Sequence, residues 1–320
     1  MAGRDRPLVI LTGPTASGKT GLSVQLAKEI GGEIISADSM QIYRKMRIGT
    51  ARVTPEEMEG IPHYLVDELD PAEAFNVVRF REMALAAVEK ILDRGRIPIV
   101  AGGTGFYIQA LLYDVDFSEH DGEAPYRQEL RQIAEKEGKE ALHRMLTLVD
   151  PDYAATVHSN NVKRVIRALE YYHETGQTLS SHNLAMRSRE PAFLSAYFVL
   201  EPERQVLYDR INRRVDLMME EGLLDEVRGL VEEGYDRDLV SMQGIGYQEF
   251  FDYFDGKQTL EETVSLIKRN TRRFAKRQMT WFRREKDVIR IPVGPGTDRE
   301  DVILEMKRIL GRKGIISGTE

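Results

Sequence analysis

Cysteine is absent from this chain of 320 residues. Its absence excludes disulfide bonds, zinc sites with thiolate ligands and thiol catalysis, and it suits a protein of a reducing compartment. Long apolar runs are also lacking, since no stretch approaches the roughly 18 residues that span a bilayer. The apolar run nearest the N-terminus has only about four residues, so we expect no signal peptide. We therefore expect a cytoplasmic protein with no membrane partner.

Basic residues are outnumbered by acidic ones, and they are unevenly distributed. The formal net charge is −7, which taken alone argues against a nucleic-acid partner. The range 268–286, however, holds nine basic residues and one acidic residue, so it carries +8 while the remainder carries −15. A compact cationic surface on an anionic protein is typical of a polyanion binder. The length and the hydrophobic content of 42% indicate a globular protein large enough for more than one domain.

A glycine-rich segment near the N-terminus fits the phosphate-loop pattern at every defined position. It reads Gly13, Pro14, Thr15, Ala16, Ser17, Gly18, Lys19 and Thr20. A short apolar run that predicts a buried strand precedes it, and an amphipathic helical pattern follows it. The backbone amides of such a loop bind a di- or triphosphate at a helix N-terminus, where Lys19 would contact phosphate oxygens and Thr20 would bind Mg²⁺. The loop predicts a pyrophosphate site without identifying the molecule that carries the pyrophosphate.

The order of apolar runs and helical patterns predicts the fold. Strand-like runs at 33–37, 63–66 and 97–101 alternate with helical material, which indicates a parallel sheet covered on both faces. From about 118 to 191 the chain is polar and only helical patterns occur, and a further buried strand follows. We therefore predict an α/β fold with a phosphate-loop parallel sheet flanked by helices and a helical C-terminal region, in which the pattern at 247–254 predicts one of the helices. The predicted core comprises 1–117 and 192–320, and 118–191 is predicted to be an inserted all-helical domain.

Two further residues follow predicted strands of this sheet. Asp38 follows the run at 33–37, and Thr104 lies in the glycine-rich turn after the run at 97–101. Ligands of open parallel sheets bind beyond the carboxyl ends of the strands, so we expect both residues to lie near the phosphate loop. Asp38 fits a general base, a water-mediated Mg²⁺ ligand or the N-cap of a following helix. Thr104 fits a turn residue as well as a catalytic one.

Two helical patterns carry basic residues on one face. In 161–169 the basic face lies opposite an apolar face, which also fits an ordinary solvated surface. In 268–282 basic residues repeat every four positions with aromatic residues among them. This combination suits phosphate contacts together with base stacking, although Trp281 fits a core anchor equally well.

Five motifs occur in order along the chain. They are the phosphate loop, DSMQIYR at 38–44, GGTGFY at 102–107, QGIGYQE at 243–249 and KRQMTWFR at 276–283. Together they resemble the bacterial tRNA dimethylallyltransferases, and the resemblance runs from about residue 7 to 286 without departure at the motif positions. The second and fifth motifs are far more specific than the phosphate loop. The zinc finger of eukaryotic members is absent, as the lack of cysteine requires.

The resemblance implies a prenyl transfer. The dimethylallyl group would pass from dimethylallyl diphosphate to the exocyclic amine of the adenosine 3′ of the anticodon in tRNA, releasing pyrophosphate. Asp38 would accept the proton of the amine, and Lys19 would stabilise the departing charge with Mg²⁺ as cofactor. Thr104 would sit near the bridging oxygen or the channel. Arg210 and Arg214 would add diphosphate contacts. The expected partners are the tRNA anticodon stem-loop and dimethylallyl diphosphate, and a monomer is expected.

The resemblance also implies tRNA contacts from residues of every motif except the phosphate loop, from the helical insertion and from the basic pattern at 268–282. These residues are Asp38, Ser39, Met40, Gln41, Thr104, Arg127, Asn161, Lys163, Arg164, Arg167, Gln243, Gly244, Gly246, Tyr247, Gln248, Arg272, Arg273, Lys276, Arg277 and Gln278.

Other functions fit parts of the sequence. A phosphate-loop small-molecule kinase would use ATP and a second substrate pocket, but it has no need for the basic stretch at 268–286. An adenylate isopentenyltransferase acting on free nucleotide would share the prenyl chemistry without needing surfaces for RNA. A non-enzymatic RNA-binding module would leave the phosphate loop and Asp38 without a role.

Overall fold

The computed structural model describes residues 5–113, 125–187 and 189–317. The chain divides into two compact units, one of Met1–Asp114 with Pro191–Glu320 and one of Val115–Glu190. The domain boundary predicted at 117/118 falls outside the described residues. Within the described ranges, no helix combines the length and the apolar character that a membrane span requires.

The first unit is built on a parallel sheet in which six strands are described. They are β1 (Pro7–Thr12), β2 (Gly32–Ser36), β3 (His63–Tyr64), β4 (Ile97–Gly102), β5 (Leu194–Pro202) and β6 (Val288–Val293). The strand order is β3-β2-β4-β1-β5-β6, and every neighbouring pair is parallel. Strand β1 lies inside the sheet, where Ile10 is in register with Val100 of β4 and Tyr197 of β5. The predicted α/β fold with a parallel sheet is confirmed.

Helices connect these strands and form the second unit. In chain order they are α1 (Lys19–Ile30), α2 (Pro55–Met58), α3 (Val77–Leu92), α4 (Gly105–Leu112), α5 (Pro125–Lys136), α6 (Lys139–Val149), α7 (Pro151–Ala154), α8 (Val162–Thr175), α9 (Leu179–Arg187), α10 (Arg204–Glu220), α11 (Leu223–Glu232), α12 (Phe250–Phe254), α13 (Leu260–Phe282) and α14 (Arg299–Arg312).

The sheet separates two apolar cores. Alternate residues of β1 point to opposite faces, so Leu8 and Ile10 join one core while Val9 and Leu11 join the other. Helix α14 packs beside α1 on the second face. Burial on both faces explains why β1 is a continuous apolar run rather than an alternating pattern. The carboxyl end of β1 is thereby fixed in the middle of the sheet, and the phosphate loop begins there.

Helices α5 to α9 form the second unit around an apolar core of their own. Leu130, Leu142 and Val165 are fully buried in it. An ion pair also lies at this core, because Arg127 Nε of α5 is 2.6 Å from Oε1 of Glu170 on α8, and the Glu170 side chain is 4% exposed. The apolar face of α8 packs inward, as its periodicity predicted.

One predicted helix is shorter than expected. The pattern at 247–254 predicted a helix, but helix α12 begins only at Phe250. The preceding residues form the 3₁₀ helix Ser241–Gln243 and a turn. Gly246 has a φ of 95° in this turn, and its amide donates to Oε2 of Glu249 at 2.9 Å. Residues 247–249 belong to this turn, and apolar periodicity does not distinguish such a turn from the first turn of a helix.

Candidate active site

Three segments meet at the carboxyl edge of the sheet. The phosphate loop follows β1, Asp38 follows β2, and Thr104 follows β4. The Thr104 amide donates to the carbonyl of Ala37 at 3.1 Å, which ties the Thr104 turn to the residue before Asp38. Gly102 is required at this crossing because a Cβ there would come within 2.3 Å of the Ala37 carbonyl oxygen. The sequence therefore predicted correctly that these segments meet on one edge of the sheet.

The phosphate loop forms a concave turn of backbone amides. Ala16 has a φ of 62° and Gly18 a φ of 92°, and left-handed residues of this kind turn successive amides inward to make an anion-binding nest. Lys19 Nζ donates to the carbonyls of Gly13 at 3.0 Å and Pro14 at 2.7 Å. The Ser17 hydroxyl is buried and has no hydrogen-bond partner among the described residues. The loop thus holds a cation and a spare hydroxyl donor beside its amides, which suits a phosphate group.

Gln278 of α13 fastens two of these segments together. Its Oε1 accepts from the Thr15 amide at 2.9 Å, and its Nε2 donates to the Gly103 carbonyl at 2.9 Å. A Cβ at Gly103 would come within 2.2 Å of this Nε2, so the glycine is needed for the contact. The buried Gln278 amide is engaged with backbone at both ends, which gives it the geometry of a positioning residue. The family resemblance had implied a tRNA contact for Gln278.

Electrostatics at the site depend on burial. Burial and, to a lesser extent, the nearby Arg214 guanidinium lower the pKa of the Lys19 ammonium to about 7, while the Asp38 carboxylate acts in the opposite direction. Burial also raises the pKa of Asp38, although hydrogen bonds from the Met40 and Gln41 amides and the charge of Lys19 partly oppose that shift. Free of ligand, the site therefore holds a weakened cation near a carboxyl group that binds a proton more readily than usual.

Asp38 is held by a turn. Its Oδ1 accepts from the Met40 amide at 2.8 Å and from the Gln41 amide at 3.4 Å, and its Oδ2 makes no hydrogen bond with the described part of the chain. Turns rather than a helix follow Asp38, so the helix-cap alternative is wrong. The bonds to Oδ1 fix the Asp38 side chain, and Oδ2 is free to accept a proton. Asp38 therefore still fits either a general base or a ligand that binds Mg²⁺ through water.

The donor set at the loop fits Mg²⁺. Thr20 is exposed at the first turn of α1, and its hydroxyl makes no hydrogen bond with described residues. No group of three His, Cys, Asp or Glu side chains that could cage a metal occurs in residues 5–113, 125–187 and 189–317. Mg²⁺ uses one or two protein ligands together with waters and substrate phosphates, so a single hydroxyl beside a diphosphate suits it better than a protein cage would.

The arginines of α10 lie beside the loop. Arg210 and Arg214 line a cavity of about 500 Å³ together with Ala16, Ser17 and Gly18. This location is compatible with the diphosphate contacts suggested for both. Two further arginines at this cavity, Arg213 and Arg299, were missed in the sequence, because neither belongs to a recognisable motif.

The basic residues predicted to bind RNA are largely exposed. Arg273, Lys276 and Arg277 are exposed on α13, and Lys163, Arg164 and Arg167 are exposed on α8 of the second unit. Asn161 is exposed at the N-terminal boundary of α8. Arg272 is half-buried and donates to Oδ1 of Asn212, and Arg127 pairs with Glu170. The exposed members therefore form a cationic surface within each unit.

The segment 243–248 packs against the segment that follows Asp38. Tyr247 is fully buried and its hydroxyl donates to Oε1 of Glu226 at 2.6 Å, so its side chain offers no surface to RNA in this conformation. A Cβ at Gly244 would come within 2.5 Å of Met40 Cε. Gln243 and Gln248 are exposed. Ser39, Met40 and Gln41 are half-buried beside Asp38.

Glu226 of α11 is a positioning residue that the sequence did not reveal. Its carboxylate accepts from the amides of Arg47, Ile48 and Gly49 at 3.0, 2.8 and 3.1 Å. Together with its bond to Tyr247, it joins the segment after Asp38 to the 243–248 segment. Glu226 lies in an ordinary amphipathic helix, so only the fold brings it to this position.

Comparison with known proteins identifies the family. The IPP transferase family model matches residues 41–285. The tRNA dimethylallyltransferase of Lachnoclostridium phytofermentans is 55% identical over 311 residues, which cover 97% of this chain and 99% of that protein. The enzyme of the same name from Acetivibrio thermocellus is 49% identical over the same coverage.

Solved structures agree with this match. The full-length tRNA isopentenylpyrophosphate transferase of Bacillus halodurans is 45% identical with a TM-score of 0.73, covering 97% of both chains. A eukaryotic dimethylallyltransferase acting on tRNA is 29% identical with a TM-score of 0.80, covering 96% of this chain and 80% of that one. Since the family model spans most of the chain and the relatives match nearly all of it, the chain belongs to the IPP transferase family.

Proposed function

We propose that this chain transfers the dimethylallyl group of dimethylallyl diphosphate to the exocyclic amine of the adenosine 3′ of the anticodon in tRNA. The observation that carries the proposal is the meeting of the phosphate loop, Asp38 and Thr104 on one sheet edge, with Gln278 of the basic helix α13 bonded to two of the three segments. A diphosphate site is thereby joined directly to a cationic helix that suits RNA. The names of the relatives support the same reaction.

The phosphate loop stabilises the leaving group in this proposal. The amine nitrogen attacks C1 of the dimethylallyl group, the C1–O bond breaks, and its electron pair leaves with pyrophosphate. Negative charge develops on that pyrophosphate, and the loop amides and the Lys19 ammonium are fixed beforehand to receive it. Thr104 lies at the same edge of the sheet, where it would sit near the bridging oxygen or the channel. Arg210 and Arg214 add positive charge beside the loop.

Asp38 removes the proton that the attacking amine loses. Its Oδ2 is free while its Oδ1 is held by backbone amides, so the proton can move to a fixed acceptor. The raised pKa of the carboxyl brings its basicity closer to neutral, which improves a general base at physiological pH. When bound, Mg²⁺ would be held by the Thr20 hydroxyl and would neutralise charge on the pyrophosphate.

The RNA is bound by the exposed basic residues of α13 and, from the second unit, of α8. The target base is stacked in an anticodon loop, so it must leave the stack to reach Asp38, which costs a few kcal/mol. Contacts to the RNA backbone supply the affinity that offsets this cost. We further propose that the protein works as a monomer in the cytoplasm.

The alternatives are less well supported. A small-molecule kinase leaves the exposed basic face of α13 without a ligand, and none of the relatives named above is a kinase. An adenylate isopentenyltransferase acting on free nucleotide requires neither that face nor the basic residues of α8.

The decisive experiment is transfer of labelled dimethylallyl diphosphate to unmodified tRNA, with free AMP as a second acceptor and an ATPase assay in parallel. We expect label in tRNA, none in AMP and no ATP turnover. Label in AMP alone would move the assignment to the free-nucleotide enzyme, and ATP turnover without label transfer would move it to the kinase.

A further inference from the structure

The Gln41 side chain lies within the loop that joins β2 to α2 and carries Asp38. Its Nε2 donates to the carbonyl of Ala51 at 3.0 Å and to that of Thr50 at 3.3 Å. Its Oε1 accepts from the hydroxyl of Ser36, the buried last residue of β2, at 3.4 Å. Because carbonyl oxygens only accept hydrogen bonds, these partners fix the orientation of the Gln41 amide. The side chain therefore ties the beginning of the loop to its later part and to the sheet.

The backbone of Gln41 is engaged as well. Its amide donates to Oδ1 of Asp38 at 3.4 Å, and its carbonyl accepts from the Asp67 amide at 3.0 Å. Both hydrogens of Nε2 go to carbonyls of the loop, so Gln41 has no N–H left to donate to an RNA in this conformation. In this it differs from Gln243 and Gln248, which are exposed. These contacts suit a residue that holds the loop better than one that binds RNA.

The loop needs such a hold because part of its backbone is strained. Lys45 has a φ of 65° and Ala51 a φ of 49°, and side chains other than glycine are disfavoured in this left-handed region. Strained residues of this kind persist only where the surrounding contacts fix them. Glu226 accepts from three backbone amides of the loop, and Gln41 donates to the carbonyl of Ala51 itself. Of these two residues, Gln41 is the one whose own amide also bonds to Asp38.

We propose that Gln41 is a positioning residue for Asp38, which holds the loop in the conformation that leaves Oδ2 of Asp38 free to take the proton of the attacking amine. When the Gln41 side-chain amide is removed, the carbonyls of Thr50 and Ala51 lose their donor and the turn at Ala51 relaxes. The backbone at Gln41 moves with that turn, and the amides that fix Oδ1 are displaced. The role in catalysis rests on the proposed function, whereas the hold on the loop does not.

The test is a cycle of four full-length proteins: the unaltered one, Gln41→Met, Asp38→Asn and the double variant. Gln41→Met keeps the size of the side chain and removes its donors, so the single-turnover rate of prenyl transfer to tRNA should fall by about tenfold to 10²-fold. The Kd values for tRNA and dimethylallyl diphosphate should stay unchanged. In the Asp38→Asn background the same change should have almost no further effect, because Gln41 acts through the carboxylate already lost. The matched control is Gln205→Met, at an exposed position of α10.

A second variant covers the case in which Gln41→Met does not fold. Gln41→Lys keeps N–H donors for the two carbonyls, so it should retain most of the transfer rate without binding tRNA more tightly. A rate near that of Asp38→Asn in a folded Gln41→Lys protein would contradict the proposal.

Equal effects of Gln41→Met in the unaltered and the Asp38→Asn backgrounds would overturn the proposal. Weaker tRNA binding with an unchanged transfer rate would also overturn it and would make Gln41 an RNA contact. Hydrogen exchange of the amides of residues 40 and 41 tests the hold on the loop without any reaction. These amides should exchange faster in Gln41→Met than in the unaltered protein, and equal rates would contradict the hold. Faster exchange in a protein that transfers no prenyl group would contradict the proposed function and leave the hold in place.

Discussion

The charge on Lys19 depends on whether the phosphate loop holds a ligand. Without one, burial and Arg214 bring the pKa of the ammonium down to about 7, and its hydrogen bonds go to carbonyls of its own loop. A diphosphate would supply the negative charge that restores the ordinary pKa. Binding and protonation are therefore coupled at this single residue.

We expect this coupling to appear as proton uptake. At a pH of about 8.5 Lys19 is mostly neutral in the free protein, so binding of dimethylallyl diphosphate should take up nearly one proton through it, whereas at about 6 it should take up almost none. Calorimetry in buffers of different ionisation enthalpy measures the uptake. The Lys19→Gln variant measures the protons that the ligand itself exchanges on binding. An equal proton uptake by the variant and the unaltered protein would contradict the assignment of the uptake to Lys19.

Asp38 offers a second test at the level of one side chain. Asp38→Asn keeps an oxygen for the Met40 and Gln41 amides but cannot accept the proton, so kcat should fall by about 10²- to 10⁴-fold. In the unaltered protein activity should fall as pH decreases through the raised pKa of Asp38, since only the carboxylate is a base. Pre-steady-state rates against pH measure both effects. Full activity of the Asn variant, with unchanged tRNA affinity, would remove Asp38 as the base.

At the level of elements, helix α13 has two roles. Its basic residues are exposed to solvent, and its Gln278 side chain bonds two segments of the site to each other. Gln278→Met has a similar size but leaves the Thr15 amide and the Gly103 carbonyl without their partner, which should lower the free energy of unfolding by about 1–3 kcal/mol. The KM for dimethylallyl diphosphate should rise because the loop is less well held. Denaturant unfolding and steady-state kinetics check this, with the exposed Thr280→Ala as control. A rise in the KM for tRNA alone would make Gln278 an RNA contact instead.

The exposed face of α13 predicts a salt effect. Replacing Arg273, Lys276 and Arg277 by Gln should weaken tRNA binding and reduce the slope of log K against log salt by about 0.7 for each lost single-strand contact. The control removes three charges from exposed positions of the C-terminal region, Arg308, Arg312 and Lys313. Equal slopes in the two triple variants would mean that net charge alone is responsible.

Residue patterns predicted the elements around the site better than the contacts within it. The phosphate loop, Asp38 and Thr104 were found because each follows an apolar run, and parallel strands end on one edge. The positioning roles of Gln278 and Glu226 were not predicted, because both side chains bond to backbone groups more than 170 residues away in sequence. Strand β6 and helix α14 were missed as well. Arg299, which begins α14, consequently had no place in the predicted site.

At the level of the whole molecule, the second unit carries its own core and a buried charge. Arg127→Met would leave Glu170 buried without this partner, and such a loss costs about 3–5 kcal/mol. We expect tRNA affinity to fall with the loosening of α5 and α8, while dimethylallyl diphosphate binds the first unit as before. Hydrogen exchange and equilibrium binding measure the two effects. Lys136→Met, at an exposed position of α5, is the matched control, and equal effects of both changes would contradict this role of the pair.

The position of β1 between β4 and β5 has a consequence for synthesis on the ribosome. When residue 102 has left the exit tunnel, β1 can pair with β4, but its other edge stays open until β5, which begins at Leu194, has been made. At 5–20 residues per second the delay amounts to roughly 5 to 20 s. The nascent chain thus presents an unpaired apolar strand for that time, and it bears the phosphate loop at its end. Chaperone binding to stalled chains should therefore peak before Leu194 emerges and decline once β5 has paired.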